Sequence, residues 1–365
     1  MADGVPYHQV ELGELEITRL CPLDPRSFVF HHKDSEAKAV TNILYLGQPG
    51  SFFNTLCRNA SSNRRIGRFL FGIGVTCEMK LAIDSYCYHR YFGECYPGLQ
   101  QDPGKRMTVW DFLRRAHRLG VAGVSIEACF LPAIDHGLLS RLRDTLDTYG
   151  LDRVWAWGHP DGLRSGTDRQ AVKDLVRHLE FARQVGAKVM RIVGGSRRSR
   201  PRSWSVHRRQ LGRMLRQLVG PAEESGVIMA MENHIDLHAD EMREIITSID
   251  SPWLGVCLDT ANNIRLFEDP VEVARVLAPW VRATHVKDVG AQRGNPREFS
   301  FWPSVPLGEG LVELPEILHL LKQARYRGLL AFEIDYLHPN YGQEERAIAR
   351  SIRYLRSLIT SLQTS

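Results

Sequence analysis

From Met79 onward, apolar runs of four to eight residues alternate with amphipathic stretches of ten to twenty, and the exchange repeats eight times. A short buried-strand pattern trading places with a helical one is what successive β-α units produce, and it dictates a parallel sheet. The expected strands are KLAIDSY (80–86), GVSIEA (123–128), RVWAWG (153–158), KVMRIVG (188–194), VIMAMEN (227–233), GVCLDT (255–260), RATHVKD (282–288) and LLAFEID (329–335). Helical periodicity is clearest over 108–120, 168–186, 207–226, 240–249, 312–328 and 344–360. Several of these stretches end in glycine, which suits the left-handed residue that closes a helix. Eight strands, each followed by a helix, predict an α/β fold of the (β/α)8 TIM-barrel type over 79–365. A doubly wound open sheet has no reason to stop at eight.

Residues 1–78 are expected to form an N-terminal extension. Their apolar patches (SFVF, TNILYLG, RFLFGIGVTC) are separated by irregular polar sequence, and no helical or strand period is sustained. Because MKLAIDSYCYHR would itself begin such a barrel, two readings stand: an arm packed on the barrel, or a mis-assigned and largely unfolded start. The composition, 43% hydrophobic and 24% charged, is that of an ordinary globular protein. A formal charge of +5 is too small for this length to argue for nucleic acid. The seven cysteines are odd in number and lack a CxxC pair, which predicts reduced thiols in a cytoplasmic protein. No apolar run approaches bilayer-spanning length and the N-terminus lacks a signal-peptide layout, so no membrane partner is expected.

In a barrel of this kind the carboxyl ends of the strands form the functional face. On the last four strands that face carries Glu232, Asp259, His285 and Glu333, each after a mostly apolar run. Three carboxylates and an imidazole at the rim of a dry core need neutralising, and a shared divalent cation does so. Oxygen-rich ligands with one nitrogen favour Mn²⁺, with Mg²⁺ or Co²⁺ as alternatives. The competing reading, four separate buried salt bridges, requires the same coincidence on four consecutive strands.

The segments MENH (231–234), GVCLDTAN (255–262), THVKD (284–288), PLGEG (306–310) and LLAFEID (329–335) resemble motifs of the xylose isomerase-like TIM barrels. Within them they resemble the sugar phosphate isomerase/epimerase group, with its ketose 3-epimerases and inosose dehydratases and, more distantly, the apurinic endonucleases. The resemblance covers 79–365 and is specific for the superfamily, not for a substrate. It implies that Glu232, Asp259, His285 and Glu333 are metal ligands. It also implies that Glu232 and Glu333 exchange protons on opposite faces of the carbon beside a carbonyl, through a metal-stabilised enediolate. One departure concerns position 262, where the 3-epimerases carry a substrate-touching His and this chain has Asn262. A trinuclear nuclease site is not expected, since only His319 and His338 follow His285. Self-association, or pairing with a partner subunit, is implied by the resemblance alone.

Side-chain parity adds candidates, because residues two apart on a strand share a face. His234 follows Glu232 and is expected to act as a general acid or base; the plainer role is holding a carboxylate ligand. Lys287 follows His285 and is expected to stabilise an anionic oxygen, or else to pair with Asp335 or Asp288. Substrate contacts are expected from Trp157 and His159 on strand three, Arg191 on strand four and Glu127 on strand two, while Trp155 packs. Tyr86, Tyr88 and His89 are further candidates. The basic run SRRSRPRSW (196–204) suits a solvated loop or a contact to an acidic partner, with a phosphate grip as the alternative. No glycine-rich phosphate cradle is present, so no nucleotide cofactor is expected. The sequence therefore predicts a metal-dependent sugar isomerase or epimerase acting on a small sugar or polyol derivative. The alternative is a lyase on the same scaffold, a keto-inositol dehydratase or C-glycoside-cleaving subunit. A third reading, a non-catalytic sugar-binding subunit, has no need of four retained ligands.

Overall fold

The computed structural model describes residues 79–364, together with the backbone of four short strands at Val10–Leu12, Leu15–Arg19, Ser27–His32 and Ile43–Tyr45. These four pair antiparallel in sequence order within a unit of their own, Met1–Cys77. The two readings of 1–78 as a packed arm or a mis-assigned start lie outside the described residues.

In the second unit eight parallel strands close into a barrel. They are β1 (Lys80–Asp84), β2 (Gly123–Glu127), β3 (Asp152–Trp157), β4 (Val189–Ile192), β5 (Ile228–Glu232), β6 (Leu254–Asp259), β7 (Val281–Val286) and β8 (Leu329–Phe332). Closure is made by β8 on β1, with Leu329 opposite Lys80 and Phe332 opposite Ile83. The fold is thus the expected TIM barrel. Its helices of eight residues or more are α1 (Val109–Arg118), α2 (His136–Thr148), α3 (Arg169–Gln184), α4 (Trp204–Ser225), α5 (Ala239–Ile249), α6 (Pro270–Leu277), α7 (Leu314–Gln323) and α8 (Glu344–Thr364). The sequence periodicity singled out six of them. The other two, α2 and α6, begin at sharp aspartate caps: Asp135 accepts from Leu138 N, and Asp269 from Val271 N and Glu272 N.

Alternation along each strand sorts the side chains. Ala82, Val154, Ala230, Cys257, Ala283, Leu329 and Ala331 point inward and fill the barrel, four of the seven being alanine. Their neighbours, among them Ile83, Val124, Trp155, Met190, Met229 and Leu330, point outward into the much larger layer between strands and helices. This parity continues upward from Ala82 to Asp84, from Ala230 to Glu232, from Cys257 to Asp259, from Ala283 to His285 and from Ala331 to Glu333. The inward face therefore changes from small apolar side chains to ionisable ones within one step of the strand ends.

Two histidines are buried in the outer layer. Trp155 Nε1 donates to His178 Nδ1 at 3.1 Å, so that nitrogen must carry a lone pair and the ring stays neutral. His207, on α4, is wholly buried and neither ring nitrogen has a hydrogen bond. Burial holds both at about 4, below the ordinary histidine range. Between that value and about 6.5 the unfolded chain binds protons that the folded chain does not, so stability falls as pH falls through this window. We expect each histidine to contribute a slope of at most about 1.4 kcal/mol per pH unit. Urea melts between pH 7 and pH 4 will measure it, and His178→Gln should flatten the slope.

Candidate active site

The carboxyl ends of β5 to β8 bring the four predicted ligands to one place. Oxygen and nitrogen atoms of Glu232, Asp259 and His285 lie within 4.8 Å of one another. Glu333 approaches from the other side, its Oε2 2.9 Å from His285 Nδ1. Register explains the convergence: Asp259 is level with His285, and Ala331 is level with His285 on the far side, which lifts Glu333 two residues higher at the rim. All four are at most 5% exposed, so little water screens their charges.

His285 is the hinge of the arrangement. Its Nδ1 faces Glu333 and, at 3.5 Å, Glu232 Oε1, while its Nε2 faces Asp84 Oδ2 at 3.5 Å. Burial opposes a charge on this imidazole, but the carboxylates around it raise its proton affinity well above normal. Burial likewise works to raise Glu232 and Glu333. The charges of His285 and Arg191 outweigh it at Glu232, and those of His285 and Lys287 hold Glu333 down at about 2. Asp84 and Asp259 go the other way, pushed up chiefly by burial.

Asn262 occupies the turn after β6. Its Nδ2 donates to Glu232 Oε1 at 3.1 Å, and its own Oδ1 accepts from Arg265 Nη1 at 2.9 Å. Arg265 is buried, lies over the Phe299 ring at 4.5 Å and reaches Asp335 Oδ2 at 3.4 Å. Asn233, next to Glu232, clasps the backbone of Asp259 through both ends of its amide, at 2.8 and 2.6 Å.

The remaining candidates divide. His234 is half-buried; its Nδ1 donates to Gly195 O at 3.1 Å, which leaves Nε2 as the acceptor of the neutral ring, and burial keeps the ring from protonating readily. Lys287 is an internal counter-ion, 2.9 Å from Asp259 Oδ2, 3.0 Å from Glu333 Oε2 and 2.8 Å from Asp335 Oδ1. Of its two expected partners, Asp335 is correct and Asp288 is not. Asp288 instead accepts from the backbone nitrogens of Val289, Gly308, Gly310 and Val312, clamping the PLGEG loop. Arg191 and Glu127 are spent on each other in a close buried ion pair, and Arg191 Nε also reaches Glu232 Oε2 at 3.4 Å. Both side chains brace the site. His159 stands at the rim, bonded through Nε2 to Glu94 Oε1 at 2.7 Å, a carboxylate that also accepts from Tyr86 Oη at 2.9 Å. Glu94 more than offsets the effect of burial and raises the His159 proton affinity. Its loop needs Gly162, where φ is +52° and a Cβ would collide with Val193 O.

The expectation for Trp157 is corrected. It shares parity with Trp155, points outward, and donates Nε1 to Asp174 Oδ2 on α3 at 2.8 Å. Tyr88 and His89 are also internal: Arg115 covers the Tyr88 ring, and His89 bonds Tyr86 O and Gln100 Oε1. In the basic run, Arg200 is clasped by Glu241 at 2.6 Å, and Arg197 bonds the carbonyls of Arg265 and Arg297. Two of its arginines therefore brace neighbouring loops. Asp84 escaped the sequence reading, although the inward parity of KLAID ends in an acid as those of β5 and β6 do.

A family model described as the xylose isomerase-like TIM barrel matches residues 113–358. The chain belongs to that family. Over 151 residues it is 26% identical to the 3-oxo-isoapionate decarboxylase of Pectobacterium atrosepticum, covering 41% of this chain and 53% of that protein. Over 177 residues it is 30% identical to the 2-epi-5-epi-valiolone 7-phosphate 2-epimerase of an Actinoplanes species, covering 48% of this chain and 61% of that one. The matches thus span between half and two thirds of these relatives, both of them enzymes. A xylose isomerase domain protein from Planctomyces limnophilus has the same fold, with a TM-score of 0.62 at 23% identity over 79% of this chain and 99% of that one. No helix among the described residues is long and apolar enough to cross a membrane.

Proposed function

We propose that this member of the family is a divalent-metal-dependent isomerase or epimerase that moves a proton on the carbon beside a sugar carbonyl. The observation that carries the reading is the environment of His285. One ring nitrogen faces the ligand carboxylates and the other faces Asp84, the arrangement in which an outer carboxylate orients a metal-binding imidazole. Asp259 Oδ2, Glu333 Oε2 and both His285 nitrogens are buried and make no hydrogen bond of proper geometry, which suits donors that await a cation. Glu232, Asp259, His285 and Glu333 would hold the ion. Mn²⁺ matches this three-carboxylate, one-imidazole set, with Mg²⁺ and Co²⁺ close behind.

The bound ion would supply Lewis acidity to a carbonyl and its neighbouring hydroxyl. The protein supplies the proton transfer. Glu232 and Glu333 flank His285 from β5 and β8, and one takes the proton that the other returns on the opposite face. Asn262 holds Glu232 Oε1, so the acid presents a fixed edge. His234, neutral and with its Nε2 free to accept, is a further base beside Glu232. His159 and Glu94 at the rim offer hydrogen bonds to the remote hydroxyls of a small sugar or polyol. A lyase outcome is the second reading, favoured by Asn262, which offers no imidazole at the turn after β6, and by the decarboxylase among the relatives.

The test is exchange in D₂O. The full-length protein loaded with Mn²⁺ is incubated with a panel of ketoses and 3-keto-glycosides and followed by proton NMR. Deuterium entering beside a carbonyl, with every carbon retained in a new stereoisomer, is the expected result. Release of water, carbon dioxide or an aglycone would move the assignment to the lyase. EDTA should abolish the exchange and Mn²⁺ restore it; exchange that survives chelation would remove the metal from the reading.

A further inference from the structure

On the outside of the barrel, α4 and α5 enclose a groove of about 670 Å³ lined by Ser205, Arg208, Arg209, Arg213, Arg216 and Ser248, with Gln217 at its end. On several other helices an exposed arginine is neutralised by an acid three residues away. Arg114 pairs with Asp111 on α1, Arg177 with Asp174 and Arg183 with Glu180 on α3, Arg243 with Asp240 on α5, and Arg275 with Glu272 on α6. On α4 the pattern breaks. None of the four groove arginines has an acid three or four residues away in the sequence. Arg209 and Arg213 are instead each other's i,i+4 neighbours, and Arg213 and Arg216 are i,i+3 neighbours, a like-charge stacking that destabilises a helix.

Two of the four are anchored. Arg208 pairs with Glu244, which also accepts from Trp204 Nε1 at 2.9 Å, and Arg216 Nη2 donates to Ser248 O and Oγ at 3.2 and 3.3 Å. Arg209 and Arg213 are exposed and have no side-chain partner among the described residues. Four residues of helix put their backbones about 6 Å apart, so two guanidinium forks stand side by side over one groove. A planar fork takes a phosphoryl group through two parallel hydrogen bonds, and two adjacent forks suit two adjacent groups. The lining has no aromatic ring or large aliphatic side chain to receive a base or acyl chain.

The geometry points to an anion site between α4 and α5 that takes a small molecule carrying two neighbouring phosphoryl groups, separate from the site at the barrel mouth. Binding there relieves the repulsion along α4, so it stabilises the helix as well as the ligand. The experiment is calorimetric titration of the full-length protein with inorganic pyrophosphate at fixed ionic strength, with inorganic phosphate as comparator. We expect one saturable site. R209A/R213A should weaken it by at least about tenfold while melting no lower than the parent, because the substitutions remove like charges. Orthophosphate should bind at least about tenfold more weakly than pyrophosphate. The assignment is overturned by the absence of saturable binding, by equal affinity in R209A/R213A, or by phosphate matching pyrophosphate. It is also overturned if a DNA or RNA oligonucleotide binds this face and pyrophosphate does not displace it, since the groove would then serve a nucleic-acid backbone.

Discussion

Replacing Glu232 with glutamine is expected to lower the rate of proton exchange by at least about 10³-fold while leaving the fold in place. Glutamine keeps the length of the side chain and can still accept from Asn262 Nδ2, so the local geometry has little reason to change. What it loses is charge and basicity. Glu232 is 4% exposed and held ionised by His285 and Arg191, and its oxygens lie among those of Asp259 and a nitrogen of His285. An amide is a poor metal ligand beside a carboxylate and cannot carry the proton. Two readouts separate these losses. Calorimetry with Mn²⁺ should show affinity reduced by at least about tenfold, and D₂O exchange at saturating Mn²⁺ should remain slow. Exchange within tenfold of the parent under saturating metal would remove Glu232 from the proton path. Unchanged Mn²⁺ affinity would remove it from the ligand set, and the two results are independent.

The sequence made the barrel legible because its period is strict. Mostly small inward residues alternate with large outward ones, and the inward column ends in an ionisable group on β5, β6, β7 and just past β8. That alternation alone places Glu232, Asp259, His285 and Glu333 on one rim. It also places Asp84 there, on the same argument applied to β1, and it turns Trp157 away. An aromatic residue at a strand end suggests a stacking surface, but its parity with Trp155 decides the matter. The pairing of charges was less accessible. Lys287 could be set beside His285 by spacing, whereas its contacts with Asp259, Glu333 and Asp335 depend on three strands and their stagger. Arg265 lies in a short 3₁₀ turn, Asn262–Leu266, whose direction no periodicity sets, and it packs under Phe299 from the long loop after β7. Glu127 and Arg191 each look like a free polar group at a strand end. They are neighbours only because β2, β3 and β4 are consecutive in the barrel, which brings two inward side chains across β3.

That pair supplies the largest expected effect on stability. Arg191→Met should destabilise the protein by about 3–5 kcal/mol, because it removes the cation that bridges two buried carboxylates. Arg191 Nη2 bonds Glu127 Oε1, Arg191 Nε faces Glu232 Oε2 at 3.4 Å, and Nη1 donates to Trp157 O at 3.2 Å. Glu127 is 1% exposed and Arg191 3%. Methionine fills most of the volume, so little of the loss comes from a cavity. The cost is that of leaving Glu127 charged and uncompensated, and Glu232 with His285 alone, in a dry interior, where breaking one side of a pair is far worse than replacing both. For a domain of this size a loss of that magnitude lowers the melting temperature by about 6–20 °C. Removing the abandoned charge should recover part of it. R191M/E127Q is therefore expected to be more stable than R191M alone, with a coupling energy of at least about 1 kcal/mol in the double-mutant cycle. If R191M melts with the parent, or if adding Glu127→Gln lowers stability further by its full single-mutant cost, the two side chains do not act as a pair. Their burial would then have to be balanced by some other group. The same cycle bears on the site, because Glu232 loses one of its two positive neighbours in R191M. Mn²⁺ would then replace the positive charge that Glu232 has lost, and it should raise the melting temperature of R191M more than that of the parent.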